Sequence, residues 1–225
     1  MPEAFFLMNY LAHALLSHAT PGLLIGGMLG DFVKGSLGER YDPEIRAGIL
    51  LHRGIDRYTD AHDLVHASRA RISLARRRFA GILVDVFYDH FLARHWARYT
   101  ELPLEEFTQQ VYATLVPHAA GFPERLQRIL PRMAADDWLA SYAEIEAVDA
   151  ALHGIARRFA RFTRFARAPV LAGGVQELLQ NYTTLESDFL AFFPELHRYA
   201  AEETRRQLGA ALDVRPAPRQ HGAAG

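Results

Sequence analysis

Three side chains able to ligate a metal, His52, Asp56 and Asp60, recur at every fourth residue in His52-Arg53-Gly54-Ile55-Asp56-Arg57-Tyr58-Thr59-Asp60. At 3.6 residues per turn they share one helix face, with Arg53 and Arg57 beside it at the same spacing. An imidazole, carboxylates and guanidiniums on adjacent stripes suit a divalent cation together with a phosphate. The simpler reading is a solvated face of Asp/Arg ion pairs. Helix rise divides the set. Residues four apart are separated by ~6 Å along the axis and residues eight apart by ~12 Å, so His52 and Asp56 can share an ion or a pair of ions. Asp60 then stands behind the site or caps a helix beginning near Asp63.

Asp85 and Asp89 repeat the four-residue spacing farther along, and His90 follows about 100° around the helix. With His13, Asp31, His52 and Asp56 they come from four separate predicted helices. Their faces are otherwise lined by Ile, Leu, Val and Phe, and a buried carboxylate needs a cation or several donors. Carboxylate and imidazole ligands suit manganese, magnesium, iron or zinc. The chain has no cysteine, which disfavours a purely structural zinc site and excludes a thiol nucleophile. There is no Walker A loop, no G-x-S-x-G, no H-E-x-x-H and no E-x-x-H. Gly26-Gly27-x-x-Gly30 is not a dinucleotide fingerprint, because neither a strand nor a parallel unit surrounds it.

The elements that must carry these residues read as helices throughout. Asn9 to His18 predicts a short helix that leaves Asn9 and His13 on one side, broken by Thr20-Pro21-Gly22. Leu23 to Val33 is apolar and glycine-rich and predicts close packing on a neighbour, with Asp31 and Lys34 at its end and Gly35 as a stop. Asp42-Pro43-Glu44 combines an N-cap, a first-position proline and an acid, and starts the helix bearing His52 and Asp56. Leu64 to Arg71 predicts the next helix, and Arg76 to Tyr99 a long one with a core stripe of Phe79, Ile82, Leu83, Val86, Phe87 and Leu92. A helix starts at Pro103-Leu104 and runs to about Val116, and residues 117–123 form a loop. Helical patterns follow over about 124–134, 137–150, 151–166 and 170–181, and Thr183-x-x-Glu186 predicts a capping box before a last helix to about Leu208. No segment alternates as a strand does. The expectation is one all-α domain over residues 1–208, a bundle of about nine or ten helices, followed by a disordered tail over 209–225.

Composition bounds the partners. At 225 residues, half of them apolar, the chain can build one good core. A formal net charge of −1 argues against bulk attraction to nucleic acid or an anionic membrane. Lys34 is the only lysine. The arginines group at Arg69, Arg71, Arg76, Arg77 and Arg78 and again at Arg157, Arg158, Arg161, Arg164 and Arg167, so the surface is polarised. Each group is either a solvated face or a dock for an acidic protein or a phosphate. The apolar N-terminus lacks a basic flank and is interrupted by Asn9, His13 and His18, and no run reaches a membrane-spanning length of about 18 residues. A cytoplasmic protein is expected.

Four motifs carry a family resemblance: Asn9-Tyr10-Leu11-Ala12-His13; Gly30-Asp31-Phe32-Val33-Lys34-Gly35; His52-Arg53-Gly54-Ile55-Asp56 with Thr59-Asp60; and Asp85-Val86-Phe87-Tyr88-Asp89-His90-Phe91-Leu92 with Arg94-His95-Trp96. The chain resembles the acyl carrier protein phosphodiesterase family, from about residue 8 to about residue 206 in layout and most specifically before residue 100. The resemblance implies hydrolysis of holo-acyl carrier protein to 4′-phosphopantetheine and the apo protein, by a manganese-favouring enzyme distantly similar to HD-type helical phosphohydrolases; magnesium and iron(II) are the other candidate ions. It implies His13, Asp31, His52, Asp56, Asp85 and Asp89 as metal ligands. The usual adjacent His-Asp signature occurs only at His62-Asp63, outside these motifs, and reversed at Asp89-His90. In such a reaction Arg53, Arg57 or Lys34 would contact the phosphoryl oxygens, and His90 or Asp60 would move a proton or orient water. The strongly acidic substrate protein would dock on the Arg69–Arg78 group. Two rivals share the sequence features: an HD-like phosphohydrolase of a nucleotide or small phosphoester, and a non-enzymatic helical binding module.

Overall fold

The computed structural model describes residues 9–162 and 170–213. These form ten α-helices and no strand, the expected all-α domain: α1 Tyr10–Ser17, α2 Pro21–Leu29, α3 Pro43–Ala61, α4 Asp63–Arg71, α5 Ala80–Arg94, α6 Leu104–Leu115, α7 Glu124–Ala135, α8 Trp138–Ser141, α9 Ile145–Phe162 and α10 Val175–Asp213. Arg164 and Arg167 and the tail from residue 214 lie outside the described residues, Arg158 and Arg161 are described in their backbone alone, and α10 carries five residues past the expected start of that tail.

Local chemistry sets the helix starts. Thr20 caps α2 through its hydroxyl on the Leu23 amide, with Pro21 at the first position. Asp42 caps α3 through the Glu44 amide, again ahead of a proline. α1 and α5 lie deepest. All eight residues of α1 are buried, and α5 buries Leu83, Val84, Val86, Phe87, Phe91 and Leu92 around its circumference.

The tightest contact is between α2 and α3. A Cβ on Gly26 would lie 2.1 Å from the Ile45 carbonyl oxygen and 2.8 Å from the Gly48 Cα, and one on Gly48 would lie 2.3 Å from the Leu23 oxygen. The close packing expected of the glycine-rich segment is therefore backbone on backbone. On another face of α3, α10 packs alongside, with Tyr58 stacked on Tyr199 at 4.5 Å between ring centroids.

Four expected features differ. The loop expected over 117–123 is largely a 3-10 helix, Val116–Gly121. The long helix over Arg76–Tyr99 is α5 flanked by single 3-10 turns at Arg77–Phe79 and Trp96–Arg98. Phe79 and Trp96 still pack on the core, so apolar spacing does not register one tighter turn. The helices expected over 137–150 and 151–166 break instead at residues 142–144; Asp137, at a positive φ of 41°, caps the short α8, and no glycine or proline marks the break. Thr183-x-x-Glu186 forms no capping box, although the expected division between the helix ending near 181 and the last helix is present. α10 passes through a kink at Asn181, whose side-chain amide donates to the Glu177 carbonyl while the Thr184 hydroxyl donates to the Asn181 carbonyl, and Glu186 accepts from His95 at 2.8 Å.

Since the α2–α3 crossing has no room for a side chain, Gly26→Ala should destabilise the protein by about 1–3 kcal/mol, whereas Gly121→Ala, with nothing within 4 Å of its Cβ, should stay within about 0.5 kcal/mol. Urea unfolding midpoints of the two variants against wild type measure this.

Candidate metal centre

The α2–α3 crossing determines where His52 points. Gly27 lies one residue beyond the contact, and its carbonyl oxygen is 2.8 Å from His52 Nδ1. Gly30, in the 3-10 turn Gly30–Phe32 that ends α2, lies against the same ring: a Cβ there would be 2.1 Å from its Cγ. The ring is thus wedged and its tautomer set. With Nδ1–H donated to Gly27, Nε2 faces outward, where it holds a proton or, once that is lost, a lone pair for a cation.

Three groups converge on that side. His52 Nε2 is 3.2 Å from Asp56 Oδ2 and 3.5 Å from Asp31 Oδ1. His13 of α1 brings its Nε2 to 3.1 Å from Asp56 Oδ1. The two imidazoles stack, with ring centroids 3.8 Å apart and planes 20° apart. His13 and His52 are buried, Asp56 is partly exposed, and the ligand atoms of these three lie within 4.8 Å of one another. Two stacked imidazoles each turning a nitrogen toward one carboxylate need positive charge between them. A divalent cation meets that need with the nitrogen and oxygen donors such ions take.

Without a cation, protons do the same work. Burial pushes His52 down, but hydrogen bonds and charge from Asp31 and Asp56 outweigh it and raise its pKa to about 9. Burial and the neighbouring His52 lower His13. Asp56 is pushed up by burial but held well below the usual carboxylate range by His13 and His52.

The two acids of α5 divide in role. Asp89 is buried, and its two oxygens accept the Leu11 and Ala12 amides at 3.1 and 3.0 Å. It supplies the cap that Asn9, at a positive φ of 57° with no side-chain cap bond, does not, and so holds the helix that carries His13. Burial raises Asp89 to about 7 against those amide bonds. Asp85, one turn earlier, is raised to about 8, first by burial and then by Asp56, Asp60 and Asp89, with Arg69 opposing. Asp85 is not among the three residues whose ligand atoms converge.

A cleft of about 240 Å³ opens over the cluster, lined by Gly30, Asp31, Lys34, Arg53, Asp56 and Asp60 among others. Arg53 donates to the Val33 carbonyl at 2.9 Å, which fixes it in the wall. Lys34 is exposed on the rim and Arg57 is exposed on α3 next to Asp56. Asp60 is bound by Arg69 of α4 at 2.7 Å. His90 is not brought to the cluster. Its Nδ1 is 2.8 Å from the Tyr142 carbonyl oxygen and its Nε2 is 3.0 Å from the Tyr182 hydroxyl, so the 100° offset from Asp89 turns it into the core. His62, of the lone His-Asp pair, caps α4 through the Leu64 amide. The sequence reading named Gly27, Gly30 and Arg69 but gave them no place at this site, which the structure does. The four-residue step from Gly26 to Gly30 is the signal that one helix face must accept something close.

This arrangement is built from the motifs that carried the resemblance, and comparison with known proteins agrees. Residues 8–196 match the family model described as acyl carrier protein phosphodiesterase. The chain belongs to that family. The acyl carrier protein phosphodiesterase of Serratia proteamaculans is 38% identical over 197 residues, covering 87% of this chain and 99% of that relative. Those of Yersinia pestis and Escherichia coli are 37% and 33% identical over 194 and 200 residues, covering 86% and 87% of this chain and 97% and 99% of theirs. No solved structure matches. No helix among the described residues is long and apolar enough to cross a membrane.

The charge balance has a pH consequence. The His52 pKa of about 9 exceeds its ordinary 6.5, so its contribution to metal-free stability is complete below pH 6.5 and is lost as pH rises through 9. Asp89 and Asp85, raised to about 7 and about 8, act in the same direction from about pH 4 upward, and the lowered Asp56 weakens the fold only in acid. Metal-free protein should lose up to about 3 kcal/mol through His52 alone between pH 6.5 and 9. A calorimetric Tm series that is flat or rising over that window would contradict the assignment.

Proposed function

We propose that the chain hydrolyses the phosphodiester linking 4′-phosphopantetheine to the serine of holo-acyl carrier protein, with a divalent cation, manganese first, held by His13, His52 and Asp56 and flanked by Asp31. One observation carries this: two imidazole nitrogens and a carboxylate meet within 4.8 Å at the foot of an open cleft, in a chain of the acyl carrier protein phosphodiesterase family. A bound divalent ion would lower the pKa of an attacking water and offset charge on the phosphoryl oxygens.

The chain's own groups supply the rest. Arg53, in the cleft wall, and Lys34, on its rim, offer charge-assisted donors to the non-bridging oxygens. Asp60, one turn beyond Asp56 and steadied by Arg69, orients the water. Of His90 and Asp60, the two groups expected to move a proton, only Asp60 lines the cleft, so proton transfer to the departing serine oxygen also falls to it.

Docking follows from the same geometry. The Arg69–Arg78 group is heavily committed within the fold: Arg71 pairs with Asp188, Arg76 with Glu177, Arg69 with Asp60, and Arg77 donates to the Ile72 and Ala70 carbonyls. A carrier whose serine reaches the cluster must lie over the cleft mouth. Lys34, Arg53 and Arg57 are therefore the cations placed to meet its acidic surface.

Two experiments test this. Holo-acyl carrier protein incubated with enzyme and manganese should appear by mass spectrometry as the apo form, while His52→Ala and Asp56→Ala should lose at least about 10²-fold in turnover with helicity retained. Full turnover by either variant, or action on free nucleotides alone, would refute it. Lys34→Glu with Arg57→Glu should raise KM about three- to tenfold and flatten its salt dependence, while Arg78→Glu should change it less than about twofold; the reverse order would return docking to the Arg69–Arg78 group.

A further inference from the structure

The Asp60–Arg69 pair has a cavity on each side. Asp60 stands in the wall of the cleft over the cluster, and Arg69 stands in the wall of a second groove of about 360 Å³, lined by His66, Arg69, Ala70, Arg77, Ala80 and Gly81. α4 and the start of α5 form the two sides of this groove. Nothing in the fold or in the reaction as described above uses it.

Its chemistry is specific. Ala70, Ala80 and Gly81 leave its surface low. A Cβ on Gly81 would touch the Arg69 guanidinium at 3.7–3.8 Å, so the absence of a side chain keeps that guanidinium accessible. Arg69 Nε is buried and has no hydrogen-bond partner, while its terminal nitrogen is held by Asp60. Arg77 is fixed in place by its bonds to Ile72 and Ala70, and His66 by its bond from Nε2 to the Asp60 carbonyl, 2.7 Å away. The groove thus offers small apolar contacts beside two guanidiniums, those of Arg69 and Arg77, and carries no carboxylate on its walls. That suits a narrow, linear chain whose polar groups are acceptors, above all amide carbonyls.

A phosphodiester has two arms diverging from phosphorus. If the carrier covers the cleft mouth, the other arm needs a channel that begins beside the cluster and leads away from the mouth. We infer that the groove between α4 and α5 is the subsite for the linear amide arm of the substrate, with Arg69 as a specificity residue at its entrance, between the arm and Asp60. This rests on the substrate reading above.

The test fills the groove from either side, leaving the cluster untouched. Gly81→Leu does so from α5 and Ala70→Leu from α4, and both substitutions suit a helix. Hydrolysis of bis(p-nitrophenyl) phosphate, a diester without the arm, is followed with manganese, and 4′-phosphopantetheine and inorganic phosphate are compared as inhibitors. In each variant the inhibition constant of 4′-phosphopantetheine should rise about tenfold while that of phosphate stays within about twofold. Unchanged inhibition by 4′-phosphopantetheine, or equal weakening of both inhibitors, would overturn the subsite. Wild-type enzyme that binds 4′-phosphopantetheine through the groove yet leaves holo-acyl carrier protein intact would overturn the substrate reading and leave the subsite standing.

Discussion

The centre depends on one close approach, that of α2 to α3 at Gly26 and Gly48. With no side chain between them, the two backbones come near enough for the Gly27 carbonyl to meet His52 Nδ1 and for Gly30 to accept the imidazole edge-on. Asp31 follows directly and reaches the other ring nitrogen. A single helix crossing therefore sets the position, the rotation and the tautomer of a candidate ligand, which a solvent-facing histidine would not have.

Charge is the second constraint. His13, His52 and Asp56 meet with Asp31 beside them; burial lowers His13, the neighbouring carboxylates raise His52 and the imidazoles lower Asp56. Such a cluster costs stability unless positive charge is present. It is tolerated because the helices around it are tied down elsewhere. Asp89 fastens α1, and α10 grips the segment after α4 through Arg71–Asp188 and through Glu177, which takes Ser73 and Arg76 together. These bonds join residues about a hundred positions apart, and they turn arginines that could face a partner into struts.

The strut arrangement also separates two kinds of surface. Where arginines are neutralised by α10 or fixed on loop carbonyls, the surface is shaped and rigid. Lys34 and Arg53 line the cleft itself, with Arg57 exposed on α3 beside Asp56. Recognition of an acidic protein and accommodation of a linear arm can then be assigned to different faces of the same site.

Much of this was legible in the chain. Periodicity, proline-led caps and the lack of alternation gave the all-α class and nearly every helix. Helix rise separated Asp60 from His52 and Asp56, and in the fold Asp60 pairs with Arg69 while His52 and Asp56 meet. The motifs named the family. Local sequence could not separate Asp89 from Asp56. Both are acids on buried helices four residues from another polar group, and the difference is what lies opposite: two backbone amides in one case, two imidazoles in the other. It could not release His90 from a catalytic role, because Tyr142 and Tyr182 meet it from far along the chain. Nor could it tell that Arg71 and Arg76 are taken by Asp188 and Glu177. Periodicity reports which face of a helix is turned inward. What that face meets depends on contacts between distant segments, and a pattern with a 3.6-residue period carries no information about them.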